Sequence, residues 1–138
     1  MSFSNRTAQA LLNALFGKTS NFGALASAPT IYVALSTTAP AEDGTNVTEP
    51  TGNGYARVAT VAGDWNTATL ADPSVVTNAN AITFPQASGA WGNCTHFVLF
   101  DAATNGNVLG SAALTTPKSP TNGDTPSFAA GALSCSLD

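Results

Sequence analysis

The chain has 138 residues and a formal net charge of −4, with four Lys plus Arg against eight Asp plus Glu. Charged residues make up 9% of it, where a soluble domain usually carries about 25%. Nucleic acid is excluded as a partner, because Arg6, Lys18, Arg57 and Lys118 are too scattered for the basic patch that phosphate binding needs, and no run of about 18 apolar residues exists to cross a membrane.

The length suits one domain. Thr, Ser, Asn and Gly take the place of charge, so the exposed faces are expected to be neutral and rich in hydroxyls. Such a surface loses little side-chain entropy when protein covers it, which points to assembly. Two cysteines, Cys94 and Cys135, do not make a disulfide framework. With no export signal in the opening MSFSNRTAQALLNALFGKTS, both are expected as free buried thiols.

In chain order, the first element reads as an amphipathic helix of about three turns. Leu11, Leu12, Leu15 and Phe16 share a face with Ala8, Ser4 or Asn5 can cap the start, and Gly17 followed by Lys18 ends it. Phe3 ahead of the cap extends the apolar stripe as a staple. In TIYVALSTTAP, Ile31, Val33 and Leu35 alternate with Tyr32 and Ala34, the period of a half-buried strand. Residues 41–54 hold Glu42, Asp43 and Glu49 and read as a long exposed loop.

YARVATVAG reads as the next strand, with DWNTAT continuing the sheet. SVVTN and AITFP are two short strands, kept at edges or ends by Pro73 and Pro85. CTHFVLFD, a turn at AATNGN and VLGSAALTT form a hairpin, and SFAAGALSCSLD completes a three-stranded meander. The expected fold is therefore all-β, an antiparallel β-sandwich or jelly-roll-like domain over residues 21–138, with an N-terminal helical arm over 1–20.

Cys94, His96 and Asp101 raise the question of a reactive site. In a strand, Cys94 and His96 share one face while Asp101 points to the other, so Asp101 cannot orient the imidazole. A structural metal needs about four ligands and a catalytic one about three, and only Cys135 and scattered carboxylates are left to complete either set. The three residues read as a packed strand, and no catalytic, cofactor or metal residues are assigned. Glu42, Asp43 and Glu49 lack the spacing of a calcium loop and read as an exposed contact surface. Trp65, Trp91, Tyr32 and Tyr55 read as core before they read as a sugar platform. Phe3, Leu11, Leu12, Leu15 and Phe16 are either a core stripe or an arm that docks on a partner subunit.

The succession TAQALLNALFG, PTIYVALSTTAP, GNGYARV, ANAITFPQASGAWGNCTHFVLFDAATNGNVL and NGDTPSFAAGALSCSLD resembles, over nearly the whole chain, a family of small tailed-bacteriophage virion proteins labelled tail fibre or head decoration (cement) protein. The resemblance implies a non-enzymatic structural role without cofactors, in a protein made in the host bacterial cytoplasm and carried in the virion. Of the two locations, the outer capsid surface is expected, with the protein a dimer or trimer clamping the major capsid protein. The alternative places it among the tail proteins, where it reads host receptors or glycans.

Overall fold

The elements run α1 (Asn5–Leu15), β1 (Tyr32–Ser36), β2 (Val58–Ala59), a 3-10 turn (Ala62–Asp64), β3 (Ser74–Thr77), β4 (Ile82–Thr83), β5 (Cys94–Phe100), β6 (Val108–Lys118), β7 (Ser127–Phe128) and β8 (Ser134–Leu137). This computed structural model describes residues 4–18 and 28–137. Among the described residues every strand pair is antiparallel and α1 is the single α-helix, so the fold is all-β with one helix. Its contacts divide it into two units, each gathered from separate stretches: 1–30, 61–81 and 129–138 in the first, 31–60 and 82–128 in the second.

The first unit begins with α1, whose start Ser4 caps by accepting the Thr7 N–H at 3.3 Å. At its other end Gly17, at φ 71°, lets the Gly17 N–H reach the Ala14 carbonyl at 3.3 Å and the Lys18 N–H reach Asn13 at 2.7 Å. These two bonds satisfy carbonyls that would otherwise be left open where the helix stops. Ala8, Leu12 and Phe16, four residues apart, are buried, and the helix packs against β3 and β8. Phe16 meets Trp65 edge-on at 4.7 Å.

Asn78 organises the rest of this unit. It is fully buried just after β3, and its amide Nδ2 donates to the Asn80 carbonyl at 2.8 Å and the Ala129 carbonyl at 2.9 Å. Its Oδ1 accepts the Leu133 N–H at 2.9 Å and its own carbonyl accepts the Gly131 N–H at 2.7 Å. One side chain thus supplies the hydrogen bonds that a strand would give to the turn leading into β8.

In the second unit the sheet order is β2-β1-β5-β6. β1 and β5 are central, paired from Tyr32 opposite Phe100 to Ser36 opposite His96, and Val33, Ala34, Leu35 and Ser36 are all buried. β1 is therefore covered on both faces, not on one as its alternation suggested; Ala34 and Ser36 are small enough to be packed over. Tyr55, Phe84, Trp91 and Phe128 form an aromatic cluster beside β4 and β7, with Tyr55 and Trp91 edge-on at 5.2 Å and Phe84 and Phe128 at 6.1 Å.

Three expectations are corrected. Within YARVATVAG only Val58 and Ala59 pair, because the chain then turns at Ala62–Asp64, where Asp64 Oδ2 accepts the Val61 N–H at 2.9 Å. DWNTAT contributes an isolated bridge from Trp65 to Asn78 and no continuing strand. The closing meander does not form: β7 pairs with β4 and β8 with β3, because Ala129 to Leu133 turn around Asn78 and separate them.

Replacing Asn78 by Leu keeps the branched side-chain shape and strands the Leu133 N–H and the Asn80 and Ala129 carbonyls. At about 1–3 kcal/mol for each unsatisfied buried group, Asn78→Leu is expected to cost about 3 kcal/mol, read as a lower urea midpoint at unchanged slope.

Candidate functional site

The strongest polar constellation centres on Arg57, in the second unit. Its Nε donates to Glu49 Oε1 at 3.0 Å and its Nη2 to Oε2 at 2.7 Å, the two-pronged geometry that a planar guanidinium makes with a carboxylate. Nη1 donates to the carbonyls of Ala102 at 2.7 Å and Asn105 at 2.8 Å, in the turn between β5 and β6. The guanidinium carbon lies 3.5 Å from the centroid of the Phe100 ring. Only 7% of the Arg57 side chain is exposed, so the ion pair is largely shielded from solvent.

Tyr55 extends the group. Its hydroxyl donates to Glu49 Oε1 at 2.7 Å and accepts the Leu35 N–H at 3.1 Å, joining the carboxylate to central strand β1. Burial first, and then the neighbouring carboxylate, push the phenol well above its ordinary range, so it stays protonated as a donor.

The loop anchored by Glu49 is stitched to the end of β1. Ser36 Oγ accepts the N–H groups of Thr38 and Thr48 at 3.2 and 3.1 Å, and the Thr37 N–H reaches the Thr48 carbonyl at 2.9 Å. Thr38 Oγ1 donates to the Asn46 carbonyl at 2.6 Å. At the tip, Asp43 accepts both the N–H and the hydroxyl of Thr45, which hold its carboxyl below the usual range. In the neighbouring turn Asp101 accepts the Asn107 N–H at 2.7 Å and its side-chain amide at 2.9 Å, and is lowered in the same way.

Of the three acidic residues expected on an exposed loop, Glu42 and Asp43 are exposed. Glu49 is not: it faces inward to Arg57 and Tyr55 and holds the loop in place. The pairing was hidden because eight positions separate the partners in an irregular stretch with no helical or strand period. In the apolar stripe, Leu12 and Phe16 are buried, Leu15 is half-buried and Leu11 is 40% exposed. Phe3 lies outside the described residues. Trp65 and Trp91 are both buried, the latter donating its indole N–H to the Asn53 carbonyl at 2.8 Å, so neither is presented as a sugar platform.

Cys94 is buried, with its Sγ directed at the Gly92 carbonyl 3.9 Å away, and His96 Nδ1 lies 2.8 Å from the Thr95 hydroxyl. Asp101 is committed to Asn107, so the three residues are not joined. Both cysteines are free; burial raises the Cys94 thiol and pushes Cys135 up to about 12. Among the described residues no group of three or more His, Cys, Asp or Glu side chains is placed to hold a metal ion. An open depression of about 340 Å³ lies between Lys118 and Pro126, where Asp124 is already bonded to the Thr121 N–H and hydroxyl.

Three outcomes follow from this geometry. Glu49→Ala is expected to cost about 3–5 kcal/mol by leaving a buried cation unpaired, whereas Glu49→Leu combined with Arg57→Met costs less than either single change; a double-mutant cycle in urea measures both. Neither thiol should react with Ellman's reagent in the native protein, and both should react after unfolding. The stability that the two lowered aspartates add is fully present above the unfolded carboxylate value and is lost as pH falls through their lower folded values. Amide exchange at Thr45 and Asn107 should rise only in that acidic window.

A search of curated proteins gives no match to the chain. Residues 2–136 match the family model described as podophage GP4 fiber I protein gp80. A match of that extent places the chain by its whole length rather than by one motif: it belongs to the podophage GP4 fiber I protein gp80 family, a family of phage virion proteins.

Proposed function

We propose that the chain is a non-enzymatic structural component of the virion that serves in the tail-fibre apparatus. The observation that carries this reading is the family match over residues 2–136, since the family is described by a fibre protein. The side chains that could do chemistry are occupied in structural roles, which supports a binding role: Cys94 is buried, Glu49 and Arg57 neutralise each other, and Asp43 and Asp101 hold turns.

The surface offered to a partner is the exposed tip carrying Glu42 and Asp43, together with the exposed turn at Ala103 and Thr104 that Arg57 ties to the base of the same loop. Because Arg57 fixes the loop and the turn together, the tip meets a partner with little ordering entropy to lose. Its acidic groups suit a basic partner surface. Leu11 is a second contact, on the exposed side of α1.

Capsid decoration is the other reading. The low charge and hydroxyl-rich composition favour it, since a shell protein binds through many weak contacts repeated by symmetry. In that reading the major capsid protein, rather than tail proteins, is the partner.

Quantitative mass spectrometry of purified virions separates the two. Tail-fibre service predicts few copies relative to the major capsid protein. A ratio near that of the capsid protein would overturn it in favour of decoration.

A further inference from the structure

Three asparagines in the chain stand directly before glycine: Asn53, Asn105 and Asn122. Such a pair is chemically labile, because glycine has no Cβ to shield its backbone nitrogen from the side-chain carbonyl carbon of the asparagine. All three asparagines are exposed, so exposure does not rank them. Their hydrogen bonds do. Asn53 is tied at its side chain: Nδ2 donates to the Ala90 carbonyl at 2.9 Å, and a Cβ built on Gly89 would fall 2.8 Å from the Asn53 Cγ. At Asn122 the nitrogen is tied instead, since the Gly123 N–H donates to the Ala87 carbonyl at 2.8 Å. At Asn105 neither group is held: among the described residues the Asn105 side chain and the Gly106 N–H make no hydrogen bond.

The Asn105 backbone carbonyl, by contrast, accepts Arg57 Nη1 at 2.8 Å. Glu49 takes the other two nitrogens of Arg57, which leaves Nη1 to the carbonyls of Ala102 and Asn105. The Asn105 oxygen belongs to the same peptide group as the Gly106 nitrogen, whose attacking form is the deprotonated amide. Negative charge on that nitrogen is shared with the oxygen, so a hydrogen bond from a guanidinium to the oxygen favours the charged form. The Asn53 carbonyl also accepts two hydrogen bonds, from the Ser88 N–H at 2.9 Å and the Trp91 indole at 2.8 Å, but both donors are neutral. Asp101, the other charge at the turn, commits both its oxygens to Asn107.

We infer that Asn105 is a modification site, where the folded chain converts its own asparagine to aspartyl and isoaspartyl residues with water as co-reactant, and that Arg57 promotes and directs the change. The Gly106 nitrogen gives up its proton to solvent and attacks Asn105 Cγ. The Cγ–Nδ2 bond breaks, and Nδ2 takes up a proton and leaves as ammonia. Water then opens the cyclic imide, either at Cγ to give aspartate or at the Asn105 backbone carbonyl carbon to give isoaspartate. Nothing is oxidised or reduced.

Arg57 also bears on which bond water opens. Its Nη1 polarises the backbone carbonyl, so attack is drawn to that carbon, and the carboxylate released there is the group to which Arg57 already donates. The isoaspartyl product therefore sets a second carboxylate on the guanidinium in competition with Glu49, and it does so irreversibly. This chemistry stands apart from whether the protein sits on tail or capsid.

The test is peptide mapping by mass spectrometry of the purified full chain, incubated folded and in urea in mildly alkaline buffer. In the folded protein Asn105 is expected to convert before Asn53 and Asn122; in urea the three should convert at comparable rates. The isoaspartyl share at Asn105 should be higher in the folded chain than in urea. The paired variant Glu49→Leu with Arg57→Met, checked by circular dichroism, should slow Asn105 conversion by about tenfold, the effect of losing one hydrogen bond to a charged group. Its isoaspartyl share should fall to the value in urea. Hydrogen exchange at the Gly106 amide passes through the same deprotonated nitrogen and should slow in parallel. Earlier conversion of Asn53 or Asn122, or equal conversion of all three in the folded chain, would overturn the site. Unchanged or faster conversion and Gly106 exchange in the folded paired variant would show that Arg57 only tethers the turn, and would overturn its part.

Discussion

The guanidinium of Arg57 is the point on which the second unit depends. It joins Glu49, before it in the chain, to Ala102 and Asn105, well after it, while lying flat on Phe100. Lysine has one point of charge and could not make the fork to Glu49, the two carbonyl bonds and the stacking contact together. Through these bonds a long irregular stretch becomes a fixed surface. The base of the loop is tied down by the neutralised Glu49 carboxylate and its tip by the Asp43–Thr45 bonds, which leaves Glu42 and Asp43 exposed.

The first unit solves the same problem with a neutral group. Asn78 binds the turn leading into β8, and Asn13 of α1 accepts the Ala68 N–H at 2.8 Å from a buried position on the helix. With so few charges in the chain, amides and hydroxyls supply most of the cross-links between irregular segments. Ser36, Thr38 and Thr48 knit the loop after β1 in this way. The composition that suggested a surface suited to assembly is thus also the material of the interior connections.

What the sequence disclosed was whatever has a period or a local signal. The cap at Ser4, the glycine stop at Gly17, the strands at Cys94–Phe100 and Val108–Lys118 and the Asn105-Gly106 turn all carry such marks. Strand partners were less accessible. Ser127 and Cys135 lie in one continuous apolar-looking stretch, yet they pair in different units because Asn78, far back in the chain, binds the turn between them. Glu49 and Asn13 were missed for a related reason: each is a polar residue buried by a partner distant in sequence or by irregular backbone. The family resemblance was legible across the whole chain because it draws on order and spacing rather than on any single contact.

The packing of α1 against both β3 and β8 sets the order in which this molecule can be completed. The helix leaves the ribosome well before β8, yet its amphipathic face has no full seat until Ser134–Leu137 have been made and have joined β3. An isolated helix of this length is marginal in water. Ala8, Leu12 and Phe16 therefore lack full cover until β8 has been made, and long-range closure of this kind is slow relative to local structure. A chain stalled before β8 would present that apolar stripe to chaperones and to other nascent copies.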